Sequence, residues 1–323
     1  SMKRLARAAV IAAPILALGA TGANADQFLR MVSGPSGGSW YPLGAKIMQV
    51  VQDNIDGVAT SNTSGGGISN VKAVGGGDAE IGWTYAHTAA NGFNGSGKFD
   101  KPVKDIAYFA TLYPSTFQVA VPKSSDIKTI EDMNGANISP GKTGWTGTAF
   151  AESILQAYGF NFNDIKNNGG TVHHVDYTES VALMKDGHIE VFMAATSMPQ
   201  ASFIELNHSP GLRFIGIPEP KLTEIIDANP GYIRGAITPA AYEGVESEIP
   251  TLGIVTSMIV NKDLPDDLVY NMMSVFWDNH AAFAEVKKTW NGVSLENALN
   301  GASVPVHPGA ARYYEEKGVR PAS

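Results

Sequence analysis

Short apolar runs alternate with amphipathic stretches along most of the chain. From position 28 onward the order is strand, helix, strand, helix, strand, and the predicted elements are Phe28–Ser33, Pro42–Ile55, Val58–Asn62, Ile68–Val74 and Ile81–Thr84. This order predicts a parallel sheet with helices on its faces. A further apolar strand is predicted over Ile106–Leu112, and we expect Tyr113-Pro114 to end it.

A second series of the same kind follows residue 115. Its predicted elements are Thr116–Val121, a helical turn at Ile130–Met133, Asn137–Ser139, Gly147–Tyr158, Val172–Asp176, Ser180–Lys185, Glu190–Ala194, Pro199–Asn207 and Leu212–Ile217. A strand at Val255–Val260 and a long helix over Asp266–Ala284 come last, and this segment is long enough to return to the first unit. The pattern predicts an α/β protein, and we expect two lobes because a chain of 323 residues is longer than one hydrophobic core usually supports.

The first 25 residues have the features of a secretory signal. Lys3, Arg4 and Arg7 are followed by an apolar stretch, residues 8–20, and by the small residues of Ala23-Asn24-Ala25. The stretch is short for a membrane span, so we expect cleavage and export to the periplasm. The predicted organisation is therefore a signal peptide at 1–25, lobe 1 at 26–114, lobe 2 at 115–217, and a return to lobe 1, with C-terminal helices, at 218–323.

Composition narrows the possible chemistry. The chain has no cysteine, which excludes disulfides, a thiolate nucleophile and cysteine-based metal sites. Without the three basic residues of the predicted signal, 20 basic residues stand against 31 acidic ones, a formal charge of −11. Such a balance argues against nucleic acid and anionic membrane surfaces as partners. No stretch after the predicted signal approaches 18 uninterrupted apolar residues, so we expect no membrane insertion of the mature chain. The sequence has no H-E-x-x-H motif or EF-hand spacing, and we expect neither a metal nor a cofactor.

The richest segment is the loop from Gly34 to Gly44, between the first predicted strand and helix. Its candidate ligand contacts are Gly38, Ser39, Trp40 and Tyr41. Glycines allow a ligand to approach the backbone, and the start of the next helix offers unpaired N–H groups. Ligands of open parallel sheets bind at this end of the strands. The alternative is an ordinary glycine-rich turn with a core tryptophan.

Three further segments also place small polar side chains next to predicted helix starts, where they could contact a ligand. Ser64 follows the second strand, Lys142, Gly144 and Thr148 lie before or at the start of a second-lobe helix, and Thr196 follows a second-lobe strand. Lys142 is the candidate point charge for an anionic ligand. Helix capping alone explains such residues equally well.

One enzymatic alternative is an exported serine hydrolase. Gly34-x-Ser36-x-Gly38 satisfies the nucleophile-elbow pattern between a strand and a helix, with His307 as a candidate base. So short a motif, this close to the predicted mature N-terminus, is weak support for acyl transfer.

The loops and the C-terminal segment, in this order, resemble the TAXI subgroup of solute receptors for tripartite (TRAP) transporters. The resemblance rests on Gly34 to Gly44, Thr63-Ser64-Gly65-Gly66, Leu112-Tyr113-Pro114, Pro140-Gly141 to Thr148-Ala149, Asp263 to Tyr270, and Pro305 to Tyr314. It covers nearly the whole predicted mature chain.

The resemblance implies a type II-like periplasmic-binding fold, in which hinge strands join two lobes around a ligand cleft. It also implies no catalysis, a small carboxylate ligand such as glutamate, a glutamine-like compound or 2-oxoglutarate, and delivery to a TRAP membrane permease. When the family's ligand contacts are transferred to the matching positions of this sequence, the resemblance implies the candidate contacts named above. Trp40, where the family more often has tyrosine, and Trp145 in the second-lobe loop depart from the family pattern and are expected to reshape the pocket.

Overall fold

The structure is a computed structural model that describes residues 27–321. The predicted signal peptide lies outside the described residues. Within the described part, ten strands form one mixed sheet, in which β2-β1-β3-β10-β4-β7-β5-β6 are neighbours, β8 pairs with β4 and β9 pairs with β10. The strands are β1 (Gln27–Val32), β2 (Val58–Thr63), β3 (Ile81–Tyr85), β4 (Ile106–Pro122), β5 (Asn137–Ser139), β6 (Thr171–Val172), β7 (Val191–Thr196), β8 (Leu212–Phe214), β9 (Ile233–Ile237) and β10 (Ile249–Asn261).

Helices connect most of these strands and pack against the sheet. They are α1 (Trp40–Asn54), α2 (Gly67–Gly76), α3 (Ala86–Asn94), α4 (Thr146–Ala157), α5 (Phe162–Asn167), α6 (Tyr177–Lys185), α7 (Ala201–His208), α8 (Lys221–Ala228), α9 (Asp266–Asp278), α10 (His280–Val286) and α11 (Pro308–Glu316). Among the described residues, no helix has the length and apolar character needed to cross a bilayer.

Each lobe contains a small parallel sheet of the predicted kind. In the first, β1 pairs in parallel with β2 and β3. In the second, β5 pairs in parallel with β6 and β7. The buried face of α1 shows why this segment is helical, since Leu43, Ile47 and Val51 recur at spacings of about one turn and pack into the core.

Two long antiparallel strands, β4 and β10, run through both lobes. The first part of β4 pairs with β10, which also pairs with β3, whereas residues 116–122 of β4 pair with β7 and β8. The first part of β10, in turn, pairs with β9. The two strands are adjacent where Pro114 lies opposite Val255 and Thr116 opposite Gly253. The predicted α/β class, with two lobes joined by hinge strands, is confirmed by this topology.

The predicted break of the strand at Tyr113-Pro114 is wrong. β4 continues through Pro114, which is exposed and lies beside a register shift in its pairing with β10. Proline removes one backbone N–H, and an irregularity in the ladder accommodates that loss. The predicted boundary between residues 114 and 115 thus falls inside one continuous strand.

Three other predicted elements differ from the structure. The single helix over Asp266–Ala284 is divided at Asn279 into α9 and α10. The strand predicted over Val172–Asp176 is limited to β6, because Asp176 caps α6 with its side chain. Residues 221–237 form α8 and β9, which contact α4 and pair with the start of β10. The segment predicted to return at 218 therefore first adds a helix and a strand to the second lobe.

Candidate functional site

A small cavity lies where the loops of the two lobes meet. It is lined by Pro35, Gly38, Ser39, Trp40, Gly66, Gly67 and Tyr85 from the first lobe and by Trp145, Thr146, Gly147, Tyr177, Ala195 and Thr196 from the second. These residues lie at or just beyond the carboxyl ends of β1, β2, β3, β5, β6 and β7, the usual position of ligands in parallel sheets. The cavity volume is about 30 Å³, which suffices for two or three water molecules.

Four helices begin at this cavity: α1, α2, α4 and α6. The N-cap residues of α1, α2 and α4 make no side-chain hydrogen bond to the first turn. Within the described part of the chain, the backbone N–H groups of five lining residues have no hydrogen-bond acceptor. These residues are Trp40, Gly67, Thr146, Gly147 and Tyr177. Unpaired N–H groups and the positive ends of helix dipoles make helix N-termini favourable positions for an anion.

Aromatic side chains form the walls. Trp40 packs against Tyr85 in the first lobe, with ring centroids 4.8 Å apart, and Trp145 meets Tyr177 edge-on in the second, at 5.3 Å. Burial raises the pKa of both tyrosine phenols, so these side chains stay neutral and act as donors. Both hydroxyls donate to the carbonyl oxygen of Ala195, at 3.0 Å from Tyr85 and 3.4 Å from Tyr177.

The two indoles add side-chain donors. Trp40 is 6% exposed and Trp145 9% exposed, and both line the cavity. Neither indole N–H has a hydrogen-bond partner among residues 27–321. Neither nitrogen is among the fully buried unpaired atoms of the described residues, so both indole N–H groups are accessible and can donate to an acceptor in the cavity.

The first-lobe loops are held by one buried amide. Asn70, 1% exposed in α2, donates to the carbonyl oxygens of Ser33 and Trp83, both at 2.7 Å, lies 3.2 Å from that of Val32, and accepts from the N–H of Gly66. It thereby ties the ends of β1 and β3 to the start of α2. A network in which every group is satisfied fixes the positions of these loops.

The second-lobe loop between β5 and α4 is held in a similar way. The hydroxyl of Thr148 donates its single proton between the carbonyl oxygens of Lys142, at 2.8 Å, and Pro140, at 3.1 Å. The positive φ angles of Gly141 and Gly144, 97° and 87°, allow the tight path of the backbone. Trp145 is thus presented to the cavity by a closely bonded turn.

The lobes are in direct contact around the cavity. The Ser39 hydroxyl lies 3.3 Å from that of Thr196 and accepts from Ser197 at 2.7 Å. Further around the cavity, the hydroxyls of Thr88 and Thr146 are 3.2 Å apart. The structure therefore has the closed arrangement of the lobes, stabilised by hydroxyl pairs that an open cleft would separate.

The structure brings four of the predicted site residues to the cavity. Gly38, Ser39, Trp40 and Thr196 all line it, although they come from different lobes. Ser39 and Thr196 are 4% exposed and bonded to each other, so their positions in the closed arrangement are linked.

The other five lie outside the lining. Tyr41 bonds through its backbone oxygen to Asn62, and Ser64 is exposed. Lys142 is half-exposed, and its ammonium lies 3.6 Å from the Asp176 carboxylate instead of facing the cavity. Gly144 accepts from the N–H of Ser69 across the lobes, and Thr148 shapes the turn described above.

Sequence reasoning missed several lining residues. Tyr85 and Tyr177 were not predicted, although Tyr85 ends β3 and Tyr177 begins α6, the two kinds of position that approach a cleft. Gly67 and Ala195 carry no side-chain signal. Only the meeting of the lobes, which a linear pattern does not encode, shows that they lie together.

The geometry does not support the hydrolase alternative. Ser36 is exposed and is not bonded to any histidine within residues 27–321. His307 is fully buried at the start of α11, where its Nδ1 accepts from the N–H of Gly309 and its Nε2 lies 3.0 Å from the carbonyl oxygen of Leu264. Both ring nitrogens are used by the backbone, so His307 is not available as a base for Ser36.

Two α/β lobes on a shared pair of long strands, with a cavity between the ends of their parallel strands, define the two-lobed periplasmic-binding-protein fold. The chain belongs to the NMT1-like family, whose model matches residues 31–318.

Solved structures of binding proteins are similar over most of their length. A chain from work on glutathione import through GshT and the cystine ABC importer TcyBC of Streptococcus mutans is 13% identical, with 83% of this chain and 96% of that chain covered and a TM-score of 0.48. An ancestral arginine-binding protein bound to arginine is 12% identical, with 82% and 98% covered and a TM-score of 0.48. The alkanesulfonate-binding protein SsuA of Xanthomonas axonopodis pv. citri, bound to MOPS, is 14% identical, with 89% and 83% covered and a TM-score of 0.45.

Proposed function

We propose that the protein is an extracytoplasmic solute receptor, not an enzyme, that closes its lobes over a small carboxylate and delivers it to a membrane permease. The observation that carries this proposal is the concentration of unpaired N–H donors at the interlobe cavity. Both lobes contribute donors, so a carboxylate held between them would favour the closed arrangement over the open one.

The chemistry of the lining supports an anionic ligand. Backbone N–H groups at the starts of α1, α2, α4 and α6 and the two indole N–H groups can all donate to carboxylate oxygens. Such bonds bind an anion without a buried cationic side chain, consistent with the position of Lys142 beside Asp176. The cavity between the closed lobes has room for only two or three water molecules, so the lobes must move apart from this arrangement to admit a carboxylate, whose remaining surface would face the aromatic rings.

The proposal also includes export to the periplasm and a TRAP permease as the transport partner. The signal-like residues 1–25 support a periplasmic location, and the resemblance of the loops and the C-terminal segment to TAXI receptors supports a TRAP permease as the partner. Glutamate, glutamine-like compounds and 2-oxoglutarate are the ligands that this resemblance suggests.

A thermal-shift screen tests the proposal, because a ligand that binds only the folded state raises its melting temperature. The purified protein would be screened against C2 to C6 mono-, di- and tricarboxylates, the corresponding amino acids, alkanesulfonates and sugars. We expect stabilisation by one or more carboxylates and none by sugars. Stabilisation by sugars alone, or by no compound, would contradict the carboxylate assignment.

A further inference from the structure

The cavity contains donors in excess of acceptors. Its lining includes no aspartate, glutamate, lysine, arginine or histidine. Among the lining residues, the backbone N–H groups at four helix starts and the two indole N–H groups can only donate, whereas the hydroxyls of Ser39, Thr146 and Thr196 can donate or accept. A carboxylate finds many partners in this set, whereas an ammonium group needs acceptors.

The acceptors near the cavity are already used within the protein. The carbonyl oxygen of Ala195 accepts from the hydroxyls of Tyr85 and Tyr177. The hydroxyl of Ser39 is bonded to those of Thr196 and Ser197, and the hydroxyl of Thr146 faces that of Thr88 at 3.2 Å. The Ala195 oxygen already accepts two hydrogen bonds, and an ammonium group would have to share the hydroxyl oxygens with the protein's own donors.

Asp176 is the nearest candidate for an acidic partner, since it immediately precedes the lining residue Tyr177. Its Oδ1 accepts from the N–H of Glu179 at 2.9 Å, as the cap of α6, and its Oδ2 lies 3.6 Å from the ammonium of Lys142. Its side chain is 29% exposed, outside the lining. Both oxygens are therefore engaged outside the cavity.

A buried ammonium without a paired anion or a full set of acceptors is strongly disfavoured. We propose that the cavity selects carboxylates that lack an ammonium group, such as 2-oxo and 2-hydroxy acids, over α-amino acids of the same carbon skeleton. This inference rests on the solute-receptor function proposed above. It narrows the suggested ligands to the 2-oxoglutarate-like class and excludes glutamate as the preferred ligand.

Matched pairs of compounds test the selectivity by titration calorimetry at pH 7.5. The pairs are 2-oxoglutarate with L-glutamate, pyruvate with L-alanine, L-lactate with L-alanine, and L-malate with L-aspartate. For each pair that binds, we expect the acid to bind at least tenfold more tightly than the amino acid. An amino acid that binds as tightly as its partner would overturn the selectivity while leaving a solute receptor in place. The absence of binding by every compound would overturn the proposed carboxylate ligand and the selectivity with it.

The Asp176→Asn variant tests whether the Asp176 carboxylate binds the ammonium group of an amino-acid ligand. Asparagine is an equally good N-cap, so the fold is expected to be preserved. We expect the ratio of acid to amino-acid affinity to change less than about twofold. A selective loss of amino-acid binding in Asp176→Asn would show that the Asp176 carboxylate reaches the ligand and would overturn the proposal.

Discussion

Trp145 of the second lobe lies directly against Gly66 of the first. A methyl group at position 66 would be 1.9 Å from Cδ1 of Trp145, well inside van der Waals contact. The neighbouring Gly67 has the same relationship to Thr146, whose hydroxyl would be 2.2 Å from an added Cβ. The closed arrangement therefore requires glycine at positions 66 and 67, because residues of the second lobe lie too close to their backbone for a side chain to fit.

Gly66→Ala should prevent full closure. The φ and ψ angles of Gly66, −156° and 156°, suit any residue, so the alanine is expected to fold normally and to clash only across the lobes. We expect the affinity for the carboxylate ligand to fall at least about tenfold, because closed-state contacts are lost. Calorimetry measures this change. Gly76→Ala in the same helix, where the nearest atom is 3.7 Å from the added Cβ, is the matched control and should bind like the wild type.

Trp145→Phe should weaken binding while keeping an aromatic wall. The substitution removes an indole N–H that has no partner among the described residues, and with it one hydrogen bond to the ligand. The expected loss is about 1 to 2 kcal/mol, or about five- to thirtyfold in affinity. Trp277→Phe is the control, because Trp277 is also 9% exposed but lies in α9, outside the cavity. Equal affinities of the two variants would remove the Trp145 N–H from the site.

Two serines of one loop should behave differently. Ser39→Ala removes bonds to Thr196 and Ser197 across the lobes, and we expect ligand affinity to fall by about 1 kcal/mol, roughly fivefold. Ser36 is exposed, so Ser36→Ala should change neither affinity nor stability. A fluorophosphonate probe gives a separate check. Labelling that is lost in Ser36→Ala would support the hydrolase and contradict the receptor.

Protonation of His87 should lower the free energy of unfolding in mild acid. Its ring is packed with Phe150 and Tyr232, its Nδ1 is buried without a partner, and burial lowers the pKa of His87 from 6.5 to about 4. Between these pH values the unfolded chain binds a proton that the folded chain excludes. The stabilising contribution is thus complete above pH 6.5 and is lost as the pH falls towards 4, by about 3 kcal/mol.

Urea unfolding at pH 7 and pH 4.5 measures this effect. The loss of stability on acidification should be smaller in His87→Phe than in the wild type, because phenylalanine keeps the aromatic packing and cannot be protonated. His208→Gln, at an exposed position of α7, is the control and should keep the full loss. An identical loss in His87→Phe would assign the pH dependence to other groups.

Much of the fold could be predicted because it depends on local patterns. Alternating apolar runs predicted strands and helices of both lobes, and the polar residues after β1 and at the end of β7 indicated Ser39, Trp40 and Thr196. Pro114 was misleading because its effect depends on the neighbouring strand. Only the pairing with β10 shows that a proline is tolerated there.

The rest of the site depends on how the lobes meet. Tyr85 and Ala195 are 110 residues apart and form one hydrogen bond. Lys142 has the charge expected of a ligand contact, but Asp176 is close enough to pair with it instead. Residue type identified groups capable of binding, and only the three-dimensional arrangement distinguishes those that face the cavity from those that hold its loops.

Calorimetric titration of the carboxylate panel into the wild type, Gly66→Ala and Gly76→Ala tests the central claim most directly. If the lobes close on a small acid through the donors around Trp40 and Trp145, at least one acid binds the wild type and Gly76→Ala with equal affinity, and its binding by Gly66→Ala is at least about tenfold weaker. A folded wild type that binds no acid, or a Gly66→Ala variant that binds as tightly as the wild type, would contradict the account.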